Sequence, residues 1–305
     1  MTSARLRAIG IDIGVTNTKT VCVLESSDKA NAQRILTQST LTHAEDATWT
    51  TGIRDVVNEL EAQHGPTQSI GIAAPGIADP SGTQIAWMQG RLMEVQHLNW
   101  TTFLDRAKPV PVLNDAQAAL LGEVWKGAAQ DQANVIMLTL GTGVGGAAMV
   151  DGRLLRGHLG RAGHLGHICL DMQGPADIVN TPGSLEYFVG NYSLRERQAC
   201  PFASTLELAR AYEAGNPQAH KHWSNLIRAL ACGIASLINV LDPESVVIGG
   251  GIATAGKTLF KPLARELDKV EWRPHNNQVR IVPARLGEYA GAYGAAWNAM
   301  QQEST

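Results

Sequence analysis

Cysteine is scarce in this 305-residue chain, and its four copies, Cys22, Cys169, Cys200 and Cys232, stand far apart with no CxxC pair. That excludes a disulfide framework and a sulfur-ligated zinc of the usual spacing, and it fits reduced thiols in the cytoplasm. Charge is also low, at 17% Asp, Glu, Lys and Arg with a formal net of -3. Such a balance offers no electrostatic case for nucleic acid or an anionic membrane. Aromatics make up only 5%. No long hydrophobic run is present: the longest mostly apolar stretch, Ala229 to Leu241, is bounded by Arg228 and Asp242. A spanning helix needs roughly 20 apolar residues, so no membrane segment is expected. The opening residues, Met1-Thr-Ser-Ala-Arg-Leu-Arg7, lack the apolar core of a signal peptide.

What is abundant is glycine, 31 copies, much of it at the ends of short apolar runs. Leu6–Asp12 and Val135–Leu140 read as buried strands, each followed by a Gly/Thr turn and a returning apolar run. This repeated plan suggests two structurally similar lobes. Helices are expected over Trp49–His64, Asp115–Lys126, from Thr205, over Pro217–Leu241, Ala255–Val270 and from Gly291. Further strands are expected at Arg34–Ser39, Ser69–Ala73, Pro109–Leu113, Ser245–Ile248 and Gln278–Val282, and Gly152–Gly190 reads as loop. Strands alternating with amphipathic helices imply an α/β fold with parallel strands. A chain of this length exceeds what one core usually holds, so an N-terminal lobe of 1–117 and a C-terminal lobe of 118–290 are expected, with 291–305 packing back on the first.

Three glycine-bearing turns have the parts of a phosphate site, which needs close backbone approach, hydroxyls and charge. In Asp12-Ile-Gly-Val-Thr-Asn-Thr-Lys19, Gly14 lets the backbone come near, and Thr16 and Thr18 offer hydroxyls. Asn17 suits the turn, Lys19 adds charge, and Asp12 can hold Mg²⁺ through water. The second turn is Gly141-Thr142-Gly143-Val-Gly-Gly, which is not the P-loop pattern because no GK[ST] follows. The third is Gly249-Gly250-Gly251, after the strand at Ser245–Ile248. Each turn alone is equally a tight hairpin or a packing device. The trio at strand ends favours a nucleotide site.

These motifs resemble the ROK group of sugar kinases and repressors, within the actin/hexokinase-like (ribonuclease H-like) superfamily of two-lobed phosphotransferases. The resemblance is carried by DIGVTNTK, GIAAPGIAD at Gly71–Asp79, LNDAQAALLGE at Leu113–Glu123, LGTGVGGA at Leu140–Ala147, the Gly157–His167 segment, LDPESVVIGGGI and AGAYGAA. It implies an active-site cleft between lobes, ATP with Mg²⁺, and transfer of the γ-phosphoryl group to a hexose hydroxyl, usually the 6-OH. It also implies Asp115 as the catalytic base, Asn114, Gly76 and Glu186 as sugar contacts, and a homodimer. Asp115 would equally serve as a helix N-cap on sequence grounds alone.

Six positions depart from the family pattern. The usual Glu-x-Gly-His is His164-Leu-Gly-His167 here, so an imidazole replaces a carboxylate that could only accept hydrogen bonds. Three zinc-binding cysteines are replaced by Asp177, Val179 and Ser184, leaving His167 as a sugar contact or a packing residue, with no zinc expected. His97 stands where the sugar-binding asparagine is usual, though Gln96–Trp100 reads equally as a rearranged surface loop with Trp87 and Trp100 packed; Val15 stands where a glycine is. The group's repressors carry a winged helix ahead of the first phosphate strand, for which a strand starting at Leu6 leaves no room. The other alternative, a catalytically weak sugar or nucleotide sensor, rests on the altered His164 and His97.

Overall fold

The computed structural model describes residues 5–14, 16–25, 33–43, 49–88, 92–197 and 200–302. In chain order the elements are β1 (Arg5–Ile13), β2 (Asn17–Glu25), β3 (Gln33–Thr42), α1 (Trp49–His64), β4 (Ser69–Ala74), β5 (Ile77–Ala78), β6 (Ile85–Trp87), α2 (Trp100–Phe103), β7 (Val112–Asn114) and α3 (Asp115–Lys126). They continue as β8 (Val135–Leu140), β9 (Val144–Val150), β10 (Arg153–Leu154), α4 (Leu185–Val189), α5 (Thr205–Glu213), α6 (Pro217–Leu241), β11 (Ser245–Gly249), α7 (Lys257–Val270), β12 (Arg280–Pro283) and α8 (Ala290–Gln302).

The chain divides into two compact units. The first holds residues 1–131, 156–161 and 285–305, and the second holds 132–155 and 162–284. The division comes later than the expected 117, because α3 belongs with the first unit. Its Trp125 stacks on Trp297 of α8 with ring centroids 5.2 Å apart.

Both units build the same five-stranded sheet. The first is ordered β3-β2-β1-β4-β7, and the second β10-β9-β8-β11-β12. In each, two antiparallel pairings are followed by two parallel ones. The sequence-level impression of one plan used twice therefore reflects a shared topology.

In the first unit the period of two along β1 sorts side chains between layers. Ile9, Ile11 and Ile13 join Ile53, Val57 and Leu60 of α1 in one core, and Ala8 joins Ala292 and Ala296 of α8 in another. The α8 face is built for close approach. Gly10 and Gly71 are register partners on β1 and β4, and a Cβ on either would collide with an α8 carbonyl, that of Ala292 or Ala295. Gly122 and Gly294 do the same between α3 and α8. The segment that leads into α8 is fixed by Glu123, a fully buried carboxylate. It accepts hydrogen bonds from the amides of Ala128 (2.7 Å), Arg285 (2.9 Å) and Leu286 (2.8 Å).

The second unit's core gathers Ile136, Leu138 and Leu140 of β8, Val246 and Ile248 of β11, and the apolar face of α6. By length and composition α6 could cross a membrane, although the apolar stretch within it is short. Half of its apolar window is packed inside, and Trp223 is buried there, donating from its indole nitrogen to the Thr258 carbonyl at 3.1 Å. Asn216 caps its start and Pro217 fills the first turn, where a missing N–H costs nothing.

Candidate functional site

In open α/β sheets, ligands bind beyond the carboxyl ends of parallel strands. Asp12, Gly76, Asn114 and Asp115 in the first unit, and Gly141–Gly143 and Gly249–Gly251 in the second, lie at such strand ends.

In the first unit Asp12 lies near the end of β1, Gly76 follows β4, and Asn114 ends β7. The N-cap of α3 is Asn114, not Asp115. Its Oδ1 accepts from the amides of Ala116 (3.0 Å) and Gln117 (3.4 Å), while its Nδ2 donates to the Gly76 carbonyl (2.9 Å). Gly76 has φ +99° and its α-carbon is crowded by the Trp87 carbonyl, so its visible work is to hold Asn114. Asp115 is thereby released from capping, although its Oδ1 still accepts from the Ala116 amide at 2.8 Å. The residue as a whole meets solvent. Even so, protein crowds its carboxyl, and this burial pushes the pKa above the ordinary range against the hydrogen bonds from Ala116 and Asn114.

The strand alternation that puts Ala8 and Gly10 beneath α8 also puts Asp12 there. A Cβ on Gly291, in the first turn of that helix, would strike the Asp12 carboxylate. Burial pushes Asp12 up to about 7; repulsion from Asp115 adds to the shift and Lys19 opposes it. Two carboxyls therefore share a locality with too little positive charge. Lys19 is register partner to Asp12 and lies 3.6 Å from Glu288. The hydroxyl of Thr18 is buried and bonded to Nε2 of His43 at 2.8 Å. Thr16 is exposed, and Gly14 and Asn17 close the turn through an amide-to-carbonyl bond of 2.9 Å. Val15 lies outside the described residues. His97 is exposed with φ +61°, its ring 3.1 Å from the Gln96 amide nitrogen.

In the second unit the glycines separate by what stands over each α-carbon. Gly141 and Gly251 have no atom within 4 Å of where a Cβ would be. They follow the parallel neighbours β8 and β11. By contrast Gly143 is covered by the Glu186 carboxylate, Gly249 by Ala284 and Met137, and Gly250 (φ +86°) by the Leu140 backbone. The α-carbons of Gly141 and Gly251 are thus open, and those of the other three stand against neighbouring groups. The carbonyls of Gly141 and Thr142 accept from the amides of Asn191 and Tyr192, each at 3.0 Å, so two oxygens that would repel phosphate are already engaged.

Glu186 sits on α4, whose N-cap Ser184 accepts from the Tyr187 amide at 3.1 Å. Its Oε2 accepts from the Val144 amide at 2.9 Å. The rings of His164 and His167 stack with centroids 6.5 Å apart. Burial, with a smaller contribution from His167, holds His164 below the ordinary histidine range and therefore neutral near pH 7. His167 Nδ1 lies 2.8 Å from Asp177 Oδ2. Ligand atoms of His167, Asp177 and Glu186 lie within 4.8 Å of one another. They do not fit structural zinc. Three groups are one short of its closed tetrahedron, and Asp177 and Glu186 are already committed to N–H donors, with Val179 offering nothing. Sequence reasoning passed over Asp177 as a partner for His167, and also His43 and Glu123; a family pattern of sulfurs gave no cue to a carboxylate–imidazole pair.

A glucokinase of Halalkalibacterium halodurans is 28% identical over 97% of this chain and 96% of its own length. An N-acetyl-D-glucosamine kinase of Yersinia pseudotuberculosis is 30% identical over 80% of the chain and 84% of its own. Among solved structures, a ROK family glucokinase from Streptomyces griseus in complex with glucose and AMPPNP matches with 28% identity and a TM-score of 0.73, covering 96% of this chain and 99% of that one. The fold is accordingly the mixed α/β, actin-like sugar-kinase fold that the motifs implied. The model of the ROK family matches residues 8–302, and the chain belongs to that family.

Proposed function

We propose that this chain is an ATP-dependent sugar kinase that transfers the γ-phosphoryl group to a hexose hydroxyl, with Asp115 accepting the hydroxyl proton. The sugar oxygen attacks phosphorus as its proton passes to Asp115, and the bond to the bridging oxygen breaks to release ADP. The observation that carries this reading is the division of labour at α3. Asn114 caps the helix, so Asp115 is not needed for capping, and its carboxyl has a raised proton affinity. A base whose pKa moves toward neutrality takes a proton more effectively at physiological pH.

Phosphoryl transfer otherwise depends on positioning and on neutralising charge. The donor set fits a divalent cation: a buried carboxyl at Asp12, raised to about 7, gains its charge most readily beside a cation. Asp12 would hold Mg²⁺ through water, and the ion would offset charge on the phosphates. Gly141 and Gly251, whose α-carbons are open, would let the nucleotide approach the backbone. Asn114, Glu186, His164 and His167 would meet the sugar, with Gly76 acting behind Asn114. Because the relatives include kinases of glucose and of N-acetyl-D-glucosamine, we take the 6-OH of glucose as the first acceptor and N-acetylglucosamine as the second.

A panel of hexoses in a coupled ADP-release assay tests this directly. Asp115→Asn should lose roughly 10²–10⁴-fold in turnover with its unfolding midpoint kept. Near-normal turnover in that variant would remove Asp115 from the role.

A further inference from the structure

We infer that Asp177 is a positioning residue for sugar recognition: it fixes the tautomer of His167. The inference rests on the kinase reading above, because that reading makes His167 a sugar contact.

Asp177 is the hub of the loop between Ile168 and Leu185. Its side chain is fully shielded from solvent. Oδ1 accepts from the amides of Val179 (3.0 Å) and Thr181 (2.9 Å), and its backbone closes the same turn through Asp177 N to Thr181 O (3.0 Å) and Asn180 N to Asp177 O (3.0 Å). Oδ2 faces His167 Nδ1 at 2.8 Å. Although burial disfavours the charge, the hydrogen bonds it accepts, that from His167 foremost, outweigh it and hold Asp177 below the usual carboxylate range. An ionised carboxylate only accepts, so the proton of a neutral His167 must sit on Nδ1. Nε2 then carries the lone pair, and it has no hydrogen-bond partner among the described residues. A sugar hydroxyl can donate to it.

A carboxylate that orients a functional ring in this way acts through geometry and tautomer rather than by touching substrate.

Asp177→Asn separates this role from mere loop stability. The two backbone donors, Val179 and Thr181, require an oxygen, so the amide nitrogen must face His167. The imidazole then accepts at Nδ1 and its proton moves to Nε2, inverting the polarity offered to a sugar hydroxyl. Losing one such hydrogen bond should raise the KM for glucose roughly tenfold. The KM for ATP should stay unchanged. In a His167→Ala background the same substitution should leave the glucose KM where His167→Ala alone puts it. Nitrogen-15 spectra of the imidazole, taken without substrate, should show His167 protonated at Nδ1 in the parent protein and at Nε2 in the variant. Those spectra decide the Asp177–His167 relation even if no hexose is phosphorylated, in which case the kinase reading fails by itself. An Nε2 proton in the parent would overturn the inference. So would a glucose KM penalty that persists undiminished in the His167→Ala background, or one matched by an equal rise for ATP. Should Asp177→Asn fail to fold, the spectrum of the parent protein still decides which nitrogen holds the proton.

Discussion

Replacing Asp12 by Asn should stabilise the protein at pH 8 and leave its stability nearly unchanged at pH 4. In the unfolded chain this carboxyl titrates near 3.8, and in the folded protein at about 7. The folded state therefore binds the proton more tightly, and the stability linked to that proton is full below about pH 4. It drains away as pH rises through 7, because the unfolded chain releases the proton first. A shift of about three pKa units corresponds to roughly 4 kcal/mol at 1.36 kcal/mol per unit. Asp12 keeps some contact with solvent, and its repulsion from Asp115 relaxes when one of them is protonated. We therefore expect about 2 kcal/mol in practice. Asn is close in shape and neutral at every pH, so the gain should rise from about zero at pH 4 to about 2 kcal/mol at pH 8. Urea unfolding followed by tryptophan fluorescence, for both proteins at several pH values, measures it. A gain that is flat with pH, or a loss at pH 8, would refute the burial argument. The same substitution should abolish phosphoryl transfer if Asp12 positions Mg²⁺, so the destabilising charge would be a cost retained for function.

Two further substitutions test how the first unit holds its site. Glu123→Ala strands the amides of Ala128, Arg285 and Leu286 without an acceptor. It should cost about 3 kcal/mol or more, seen as a lower urea midpoint at unchanged m-value; a cost under about 1 kcal/mol would show that water replaces the carboxylate. In an exposed helix interior, Gly→Ala normally gains about 1 kcal/mol. Gly294→Ala should reverse that sign, because the added methyl would strike the Ala118 carbonyl and push α8 off α3. A loss of about 2 kcal/mol in the same assay is expected, and any gain would show that the helix contact is looser than described.

Elements with a strong local signal were legible before any coordinates. The bounds of α1 match the sequence reading because Ile53, Val57 and Leu60 repeat on one face. Those of α6 match because Asn216 and Pro217 mark its start. The elements missed are short ones with no room for a period. The ribbon of β5 and β6 has two and three residues, and α4 has five, inside a region read as loop. The strand expected at Pro109–Leu113 lies at Val112–Asn114, and that at Gln278–Val282 begins at Arg280. Nor could the sequence place residues 156–161 with the first unit, since that depends on a distant contact, Gly160 against the Ala78 carbonyl.

The site shows the same limit more sharply. Residue types and spacing were enough to find every glycine turn, but not to tell what stands over each α-carbon. Gly141 and Gly143 are two residues apart in one motif, and local sequence treats them alike. Only the folded chain brings Glu186, more than forty residues away, over Gly143 and leaves Gly141 bare. A Cβ on Gly143 would therefore strike the Glu186 carboxylate. The pair at Asn114 and Asp115 makes the complementary point. An Asp at a helix start reads as a cap on statistical grounds, yet here the neighbouring Asn makes the capping bonds. What function needs from these residues is accessibility or release from another duty. Both are properties of what surrounds a side chain, so they emerge with tertiary contact and not with motif.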